Sequence, residues 1–330
     1  MIRVDRRRFV VTVAGLLVGR GAVAQRPSDG SQLIGVLHHG TRADSGPEFA
    51  ALRKGLREEG FVEGRNLRAV YRFADYDYLE LERLARELVN ANIQVIYAPT
   101  TSAVHAARTA TIAIPIVFSG VNDPLPHKFV QSLARPGGNI TGVSLANSDL
   151  TAKRLQLMRE LFPATGRLGV IFDADSAREC GVELREIKGS GQRLGVEVLE
   201  LPYDASTDLR KAFNGARRDD VRALLVPTTY ETRRFGAALS AESLRSRVPL
   251  IHSSKEAVEA GGLMSYGPDR DWAAQRAGQY IGRILKGVRP SELPVERPTR
   301  YELVVNLKTA RTMGISIPPS VLVRADRVID

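Results

Sequence analysis

The side chains best suited to bind a small polar molecule follow apolar segments that are predicted to be strands. Hydroxyl, amide and acidic groups in short loops can converge on one ligand through a few hydrogen bonds. Tyr266 is different because it lies on a predicted crossing strand, where it is placed to cover a ligand or to pack in the core. The loop candidates are Thr41, Thr100, Thr101, Ser102, Asn122, Asp123, Asp173, Thr228, Thr229, His252 and Ser253.

Two of these loops have a spacing that suggests a specific partner. Thr100-Thr101-Ser102 opens a predicted helix, and the free N–H groups and dipole of a helix start attract a carboxylate. The same hydroxyls can instead only cap the helix. Asp123 precedes Pro124 at a strand end, which suits either a ligand ammonium group or a helix cap with proline in the first turn.

The sequence offers little for catalysis or metal binding. His38-His39 has no acidic or cysteine partner at metal-ligand spacing. Cys180 is the single cysteine and has no evident base partner, so a buried, inert thiol is favoured. No nucleophile-elbow, zinc-protease or phosphate-loop pattern is present. We therefore expect a protein that is not an enzyme, with no catalytic residues, metal or cofactor.

The composition is that of an ordinary globular chain with a basic excess. Of 330 residues, 43% are hydrophobic and 25% are charged, which excludes a largely disordered chain. The formal net charge is +10. Because the arginines are spread along the sequence instead of forming one stripe, we do not expect a nucleic-acid partner.

The first 24 residues resemble an export signal. A basic start is followed by a short apolar run and by Ala22-Val23-Ala24, a small-residue cleavage site. Arg6-Arg7-Arg8-Phe9-Val10 is similar to a twin-arginine signal, with a Sec signal or an ordinary helix as alternatives. No cysteine follows Ala24, so no lipid anchor is expected. These features predict cleavage after Ala24 and a periplasmic location.

The elements that must position the loops alternate between strand and helix, twice along the chain. Helices are predicted over 47–60, 78–90, 102–110, 126–133, 150–161, 177–194, 209–216, 233–246 and 271–285, with short apolar strands between most of them. This alternation predicts an α/β fold with two Rossmann-like lobes, parallel sheets and hinge strands near 140–148 and 263–268. One large doubly wound sheet is the alternative.

The lobe boundaries follow from the same pattern. We expect an N-terminal lobe over 32–145 plus about 267–290 and a C-terminal lobe over 146–266. Residues 291–330 are expected to pack across both lobes. Since ligands of open α/β sheets lie beyond the carboxyl ends of the strands, the candidate loops would face each other across a cleft.

Several segments, in this order and spacing, resemble a known family over 33–328. They are 55–66, 114–118 with Asp123-Pro124, 132–142, 262–267, 284–287, 293–296 and 306–310, of which 132–142 is the most distinctive. The chain resembles the substrate-binding proteins of ABC transporters with the type I periplasmic-binding fold, in the subgroup that binds tryptophan and other aromatic amino acids.

The resemblance implies an extracytoplasmic receptor that closes on a small polar ligand by hinge motion. An amino acid or related carboxylate is the implied ligand class, and an ABC permease with its ATPase is the implied partner of a monomer. The family's ligand loops correspond to Thr100, Thr101, Ser102, Asp123, Thr228, Thr229 and the turn at His252. The alternatives are a ligand-sensing periplasmic protein that partners a membrane signalling receptor and, less favoured, an exported hydrolase.

Overall fold

The structure is a computed structural model, and it describes residues 30–174, 176–204, 209–229 and 235–330. The predicted signal peptide, residues 1–24, lies outside the described residues. Within them, no helix combines the length and the apolar character needed to cross a membrane.

The first sheet has five parallel strands in the order β2-β1-β3-β4-β5. Their runs of valine, isoleucine and aromatic residues are mostly buried, as parallel strands covered by helices require, while the edge strand over 67–73 is partly exposed beyond Leu67. The strands are β1 (Gln32–His38), β2 (Leu67–Phe73), β3 (Val95–Tyr97), β4 (Ile116–Val121) and β5 (Ile140–Ser144).

The second sheet has seven strands in the order β12-β11-β10-β9-β8-β6-β7. All neighbours are parallel except β10 and β11, which pair antiparallel. The strands are β6 (Arg167–Asp173), β7 (Glu197–Tyr203), β8 (Leu224–Leu225), β9 (Leu250–His252), β10 (Met264–Pro268), β11 (Tyr301–Asn306) and β12 (Arg327–Ile329).

Helices cover both sheets, and short 3₁₀ turns lie at Ala43–Ser45 and Pro290–Glu292. The fold class predicted from the sequence, two α/β lobes with mostly parallel sheets, is confirmed. The described helices are α1 (Gly46–Glu58), α2 (Tyr78–Asn90), α3 (Thr101–Ala110), α4 (Asn147–Leu161), α5 (Ala177–Arg193), α6 (Leu209–Arg218), α7 (Gly236–Ser246), α8 (Lys255–Glu259), α9 (Arg270–Leu285), α10 (Leu307–Met313) and α11 (Pro319–Leu322).

The chain passes between the two sheets at three places, which are β5 to α4, β10 to α9 and the segment 297–300 before β11. Helix α9 therefore follows a strand of the second sheet but packs on α1 of the first lobe. Glycines permit this close approach, since a Cβ at Gly55 would lie 1.8 Å from the Gln275 carbonyl oxygen and one at Gly278 would lie 2.3 Å from that of Leu52.

Residues 291–330, expected to pack across the lobes, divide between them. Leu293 and Val295 contact the first lobe, where the Thr141 hydroxyl donates to the Leu293 carbonyl and the Val295 N–H donates to the Leu133 carbonyl, each at 2.7 Å. From Tyr301 onward the chain adds β11, α10, α11 and β12 to the second lobe.

One local prediction is wrong, and several short elements were not predicted. The helix expected over 126–133 is a series of turns, in which Lys128 has a φ of 54° and the Phe129 N–H donates to the Pro124 carbonyl. A left-handed residue stops an α-helix, and the burial of Phe129 and Val130 beneath α3 holds the turns in place. The short helix α8 was not predicted, because its five residues are too few to show a helical period.

Candidate functional site

The start of α3 brings three sequence-distant polar groups together in the first lobe. Strands β1 and β3 are neighbours, so the loops that follow them meet at the carboxyl edge of the sheet. Thr100 caps α3 by accepting the Ala103 N–H at 3.1 Å. Its hydroxyl lies 3.0 Å from the Ser102 Oγ, which in turn lies 2.9 Å from His39 Nδ1.

His39 is buried in this edge as a neutral imidazole. Burial lowers its pKa from 6.5 to about 4, although the Tyr76 backbone and the Asp77 charge act in the opposite direction. Its ring packs against Tyr78 with 4.5 Å between centroids. The residue therefore supplies a polar ring to Ser102 without adding a positive charge at neutral pH.

A cavity of about 670 Å³ opens beside this group. Its volume lies within the range of small-molecule sites. Thr101 and Ser102, the first residues of α3, form part of its wall, and the N–H groups of a helix's first turn have no partner within the helix. Tyr78, His105, His127 and Lys128 are also among the lining residues. This wall combines hydroxyls, aromatic rings and a lysine.

Asp123 stands at the start of the turns that follow β4. Its carboxylate accepts the Leu125 N–H at 3.2 Å, so it caps a turn and not the predicted helix. It also lies close enough to His127 to oppose the lowering of that histidine's pKa by burial. Asp123, Asn122 and Arg297 line a separate small cavity of about 90 Å³ at the lobe junction.

A closed ring of four side chains and the backbone of Thr228 joins the lobes, and we call it the polar ring. Asn122 follows β4 of the first sheet, and the other members belong to the second lobe. The Asn122 Nδ2 donates to the Thr228 carbonyl at 3.0 Å, and its Oδ1 accepts from Asn147 Nδ2 at 2.8 Å. The members of the polar ring are Asn122, Asn147, Arg154, Glu183 and Thr228.

An ion pair completes the polar ring. Arg154 donates to Asn147 Oδ1 at 2.6 Å and to Glu183 Oε1 at 3.1 Å, while Glu183 Oε2 accepts the Thr228 N–H at 2.9 Å. Arg154 Nε also donates to the Tyr266 carbonyl at 2.7 Å. Burial raises the pKa of Glu183 and lowers that of Arg154, and each charge opposes the shift of the other.

Comparison with known proteins shows the family. A family model described as "ABC transporter substrate binding protein" matches residues 44–329, nearly the whole described chain. The chain belongs to this family. It is therefore the substrate-binding protein of an ABC transporter, in a family of ligand receptors that are not enzymes. Such proteins bind small molecules and work with a permease and an ATPase.

Individual relatives agree with this assignment. The substrate-binding protein is similar to a "Tyrosine-binding protein" of Clostridioides difficile strain R20291, with 26% identity over 79% of this chain and 75% of the relative. A conserved domain protein of Vibrio cholerae shares 25% identity and a TM-score of 0.82, covering 90% of this chain and 99% of the other. A domain from Streptococcus pneumonia in complex with L-Trp has 24% identity and the same TM-score over 91% and 100% of the chains, which supports the fold.

The remaining predicted site residues of the substrate-binding protein make other contacts. The Thr41 carbonyl accepts from Ser45, and the Asp173 carbonyl accepts from Ser176. The Thr229 N–H donates to the Pro227 carbonyl. Ser253 lines a small cavity that Arg270 also borders, and the half-buried Tyr266 ring lies 6.1 Å from Tyr301.

His252 is fully enclosed in the second lobe. Its Nε2 atom has no hydrogen-bond partner within the described residues, and burial lowers its pKa from 6.5 to about 4. Across those residues no group of three or more His, Cys, Asp or Glu side chains is placed to hold a metal ion.

Sequence reasoning missed Asn147, Arg154 and Glu183, although a signal was present. Arg154 falls on the apolar face of α4, one turn from both Leu150 and Met158. Glu183 falls on the apolar face of α5 between Cys180 and Ile187. Opposite charges on the buried faces of two consecutive helices indicate an internal ion pair, because lone buried charges are costly.

Proposed function

We propose that this protein is the periplasmic receptor for an amino acid or a related small carboxylate, which it binds between its lobes and delivers to an ABC permease and its ATPase. The ligand carboxylate lies at the start of α3, against Thr101 and Ser102. Asp123 lines the neighbouring small cavity but lies close to His127 of the larger cavity's wall, and from there it receives the ligand ammonium group. The protein acts as a monomer, exported by the segment 1–24 and free of a lipid anchor after cleavage following Ala24.

One observation carries the proposal. The first turn of α3 borders a cavity of about 670 Å³ whose lining residues, Glu82 among them, all belong to the first lobe, and a buried neutral histidine lies behind Ser102. Helix N–H groups and hydroxyls stabilise a carboxylate without requiring a second buried charge. A relative named for tyrosine binding supports an amino acid, and the Tyr78 ring beside the cavity offers an apolar surface for a side chain.

The test is thermal unfolding of the purified protein against the common amino acids and small carboxylates. A ligand at about 100 times its Kd stabilises the native state by roughly 2.7 kcal/mol, which gives a clear rise in Tm. The methyl ester of each active amino acid should lose the effect, because it lacks the carboxylate. A stabilising ester would contradict the proposed position of the ligand.

Variants locate the site. Ser102→Ala and Asp123→Ala should each remove most of the ligand-induced rise in Tm. Thr312→Ala is the matched control, since that hydroxyl donates to the Lys308 carbonyl within α10, far along the chain in the second lobe. If Ser102→Ala and Thr312→Ala respond to the ligand equally, α3 is not the carboxylate site.

A further inference from the structure

Asn122 occupies a fixed place beside one of the passages between the lobes. Its backbone carbonyl oxygen accepts a hydrogen bond from the Ser144 hydroxyl at 2.8 Å and from the Ala146 N–H at 3.0 Å. These bonds tie the end of β4 to the segment that leads from β5 into α4. The Asn122 backbone therefore stays with the hinge, and only its side chain reaches toward the second lobe.

The two partners of the Asn122 side chain differ in their distance from that hinge. Asn147 is the first residue of α4, directly after the passage, so its bond to Asn122 is local. Thr228 follows β8 in the interior of the second sheet. A rotation that opens the cleft separates Thr228 from Asn122 more than it separates Asn147 from Asn122. The bond from Asn122 Nδ2 to the Thr228 carbonyl is therefore the one that opening must break.

The rest of the polar ring fixes both ends of that bond. Asn147 accepts from Arg154 through Oδ1 and donates to Asn122 through Nδ2, which orients the Asn122 amide with its N–H groups toward Thr228. Glu183 accepts the Thr228 N–H and so holds the same peptide segment from the other side. A buried ion pair is a poor way to gain stability compared with apolar packing, but it fixes geometry well.

We infer that Asn122 is a positioning residue that holds the two lobes closed through Thr228, with Arg154 and Glu183 aligning the bond, and that it thereby sets how tightly the cleft retains its ligand. The predicted effect of Asn122 on ligand affinity rests on the proposed function. Its predicted effect on the shape of the unliganded protein does not.

The expected change in the closed-to-open ratio follows from the loss of one hydrogen bond. Such a bond contributes a net amount that corresponds to about a fivefold change in an equilibrium constant. Loss of the Asn122 donor should therefore shift the closed-to-open ratio by about fivefold toward the open form. Ligand affinity should fall in proportion to the closed fraction, and therefore by at most about fivefold, because a ligand that requires the closed form must first restore it.

The experiment compares Asn122→Ala and Asn122→Asp with the wild type by small-angle X-ray scattering without ligand. Asn122→Asp keeps an acceptor for Asn147, replaces the donor to Thr228 with an oxygen and adds a negative charge, whereas Asn122→Ala removes both bonds without adding a charge. Asn139→Ala is the matched control, because the Asn139 amide donates at 2.8 Å to the Ile114 carbonyl within the first lobe. Fluorescence of Trp272, the single tryptophan, packed beside Val143 and Leu145, gives a second readout at the hinge.

We expect the wild type and Asn139→Ala to match the compact arrangement, and both Asn122 variants to have a larger radius of gyration and an altered Trp272 emission. The inference is overturned if the scattering of both Asn122 variants superimposes on that of the wild type, or if the wild type is already open. If the wild type binds no amino acid or carboxylate, the proposed function fails while the scattering comparison still decides the role of Asn122.

Discussion

Arg154 and Glu183 form an ion pair of 3.1 Å whose side chains are 0% and 2% exposed. They lie on consecutive helices, α4 and α5, and are 29 positions apart in the sequence. Each charge offsets the cost of burying the other. Within the polar ring, Arg154 also bonds to Asn147, and Glu183 also bonds to Thr228.

Removing one member of this ion pair should strongly destabilise the folded protein. We expect Arg154→Met to lower the free energy of unfolding by about 3–5 kcal/mol, because it leaves Glu183 as a buried charge without its cation. Urea unfolding measures the change. The double variant Arg154→Met with Glu183→Gln should be more stable than Arg154→Met alone, since the remaining amide is neutral.

A surface pair provides the comparison for that prediction. Arg167 and Glu197 form an ion pair of 2.7 Å with about half of each side chain exposed. Arg167→Met should therefore cost much less than Arg154→Met. Equal losses for Arg154→Met and Arg167→Met would show that burial of the internal pair has no energetic consequence.

The contact between α1 and α9 leaves no space for a side chain at Gly278. Gly278→Ala would place a methyl group 2.3 Å from the Leu52 carbonyl oxygen, and the helices must separate to accept it. We expect a loss of about 1–3 kcal/mol, measured by chemical unfolding. In Gly189→Ala the nearest atom is the end of the Arg193 side chain at 3.6 Å, so this control should gain about 0.5–1 kcal/mol from helix propensity.

His252 makes stability depend on pH. Its pKa is about 4 in the folded protein against 6.5 as the ordinary value, so between pH 6.5 and 4 the unfolded chain binds a proton that the folded chain does not. The free energy of unfolding therefore falls as the pH falls through this window. The contribution of His252 to that loss is about 3 kcal/mol at pH 4.

Urea unfolding at a series of pH values separates this contribution. His252→Leu should show a shallower fall in the free energy of unfolding between pH 6.5 and 4 than the wild type. The corresponding change at the exposed His105, His105→Leu, serves as the control and should keep the wild-type slope. Parallel curves for His252→Leu and the wild type would contradict the assignment of this pH dependence to His252.

Tyr97 holds two polar groups in the core of the first lobe. Its hydroxyl donates to Glu48 Oε1 at 3.0 Å and lies 2.6 Å from the Ser119 Oγ. Burial, and then the Glu48 charge, raise its pKa well above the ordinary range. Tyr97→Phe should cost about 1–3 kcal/mol, because Glu48 and Ser119 each lose a buried partner.

The control for Tyr97→Phe is Tyr71, a tyrosine of the first lobe that also donates to a glutamate. The Tyr71 hydroxyl donates to Glu63 Oε2 at 3.0 Å near the surface, where water can replace it. Thermal unfolding should show a clearly smaller change for Tyr71→Phe. A larger loss for Tyr71→Phe than for Tyr97→Phe would contradict the importance of burial at Tyr97.

Much of the fold could be predicted because the spacing of apolar residues that marks each helix or strand is a local property of the sequence. Helix α2 was predicted with its observed bounds, and Leu81, Leu84 and Leu88 share its buried face, although Leu79 is exposed. The turns over 126–133 could not be predicted in this way, since their apolar residues are buried by contact with the neighbouring α3 and do not form a helix of their own. The return of 301–330 to the second sheet depends on the antiparallel pairing of β11 with β10, which no local pattern encodes.

The candidate site was only partly visible in the sequence. Loops that follow parallel strands must lie at one edge, so the proximity of Thr100 and Ser102 to the loop of His39 follows from the strand order. Asn122 and Thr228 were selected as candidate ligand residues, and in the structure they bond to each other. Their pairing requires the angle between the lobes, which the sequence pattern does not specify.

The interleaved path of the chain also has a consequence for biosynthesis. The first lobe needs α9 from near residue 280 to cover α1, and the second sheet needs β11 and β12 from the last 30 residues. Neither lobe can complete its core before these late segments have been synthesised. A nascent chain of this design therefore does not fold its first lobe as an independent unit ahead of the second.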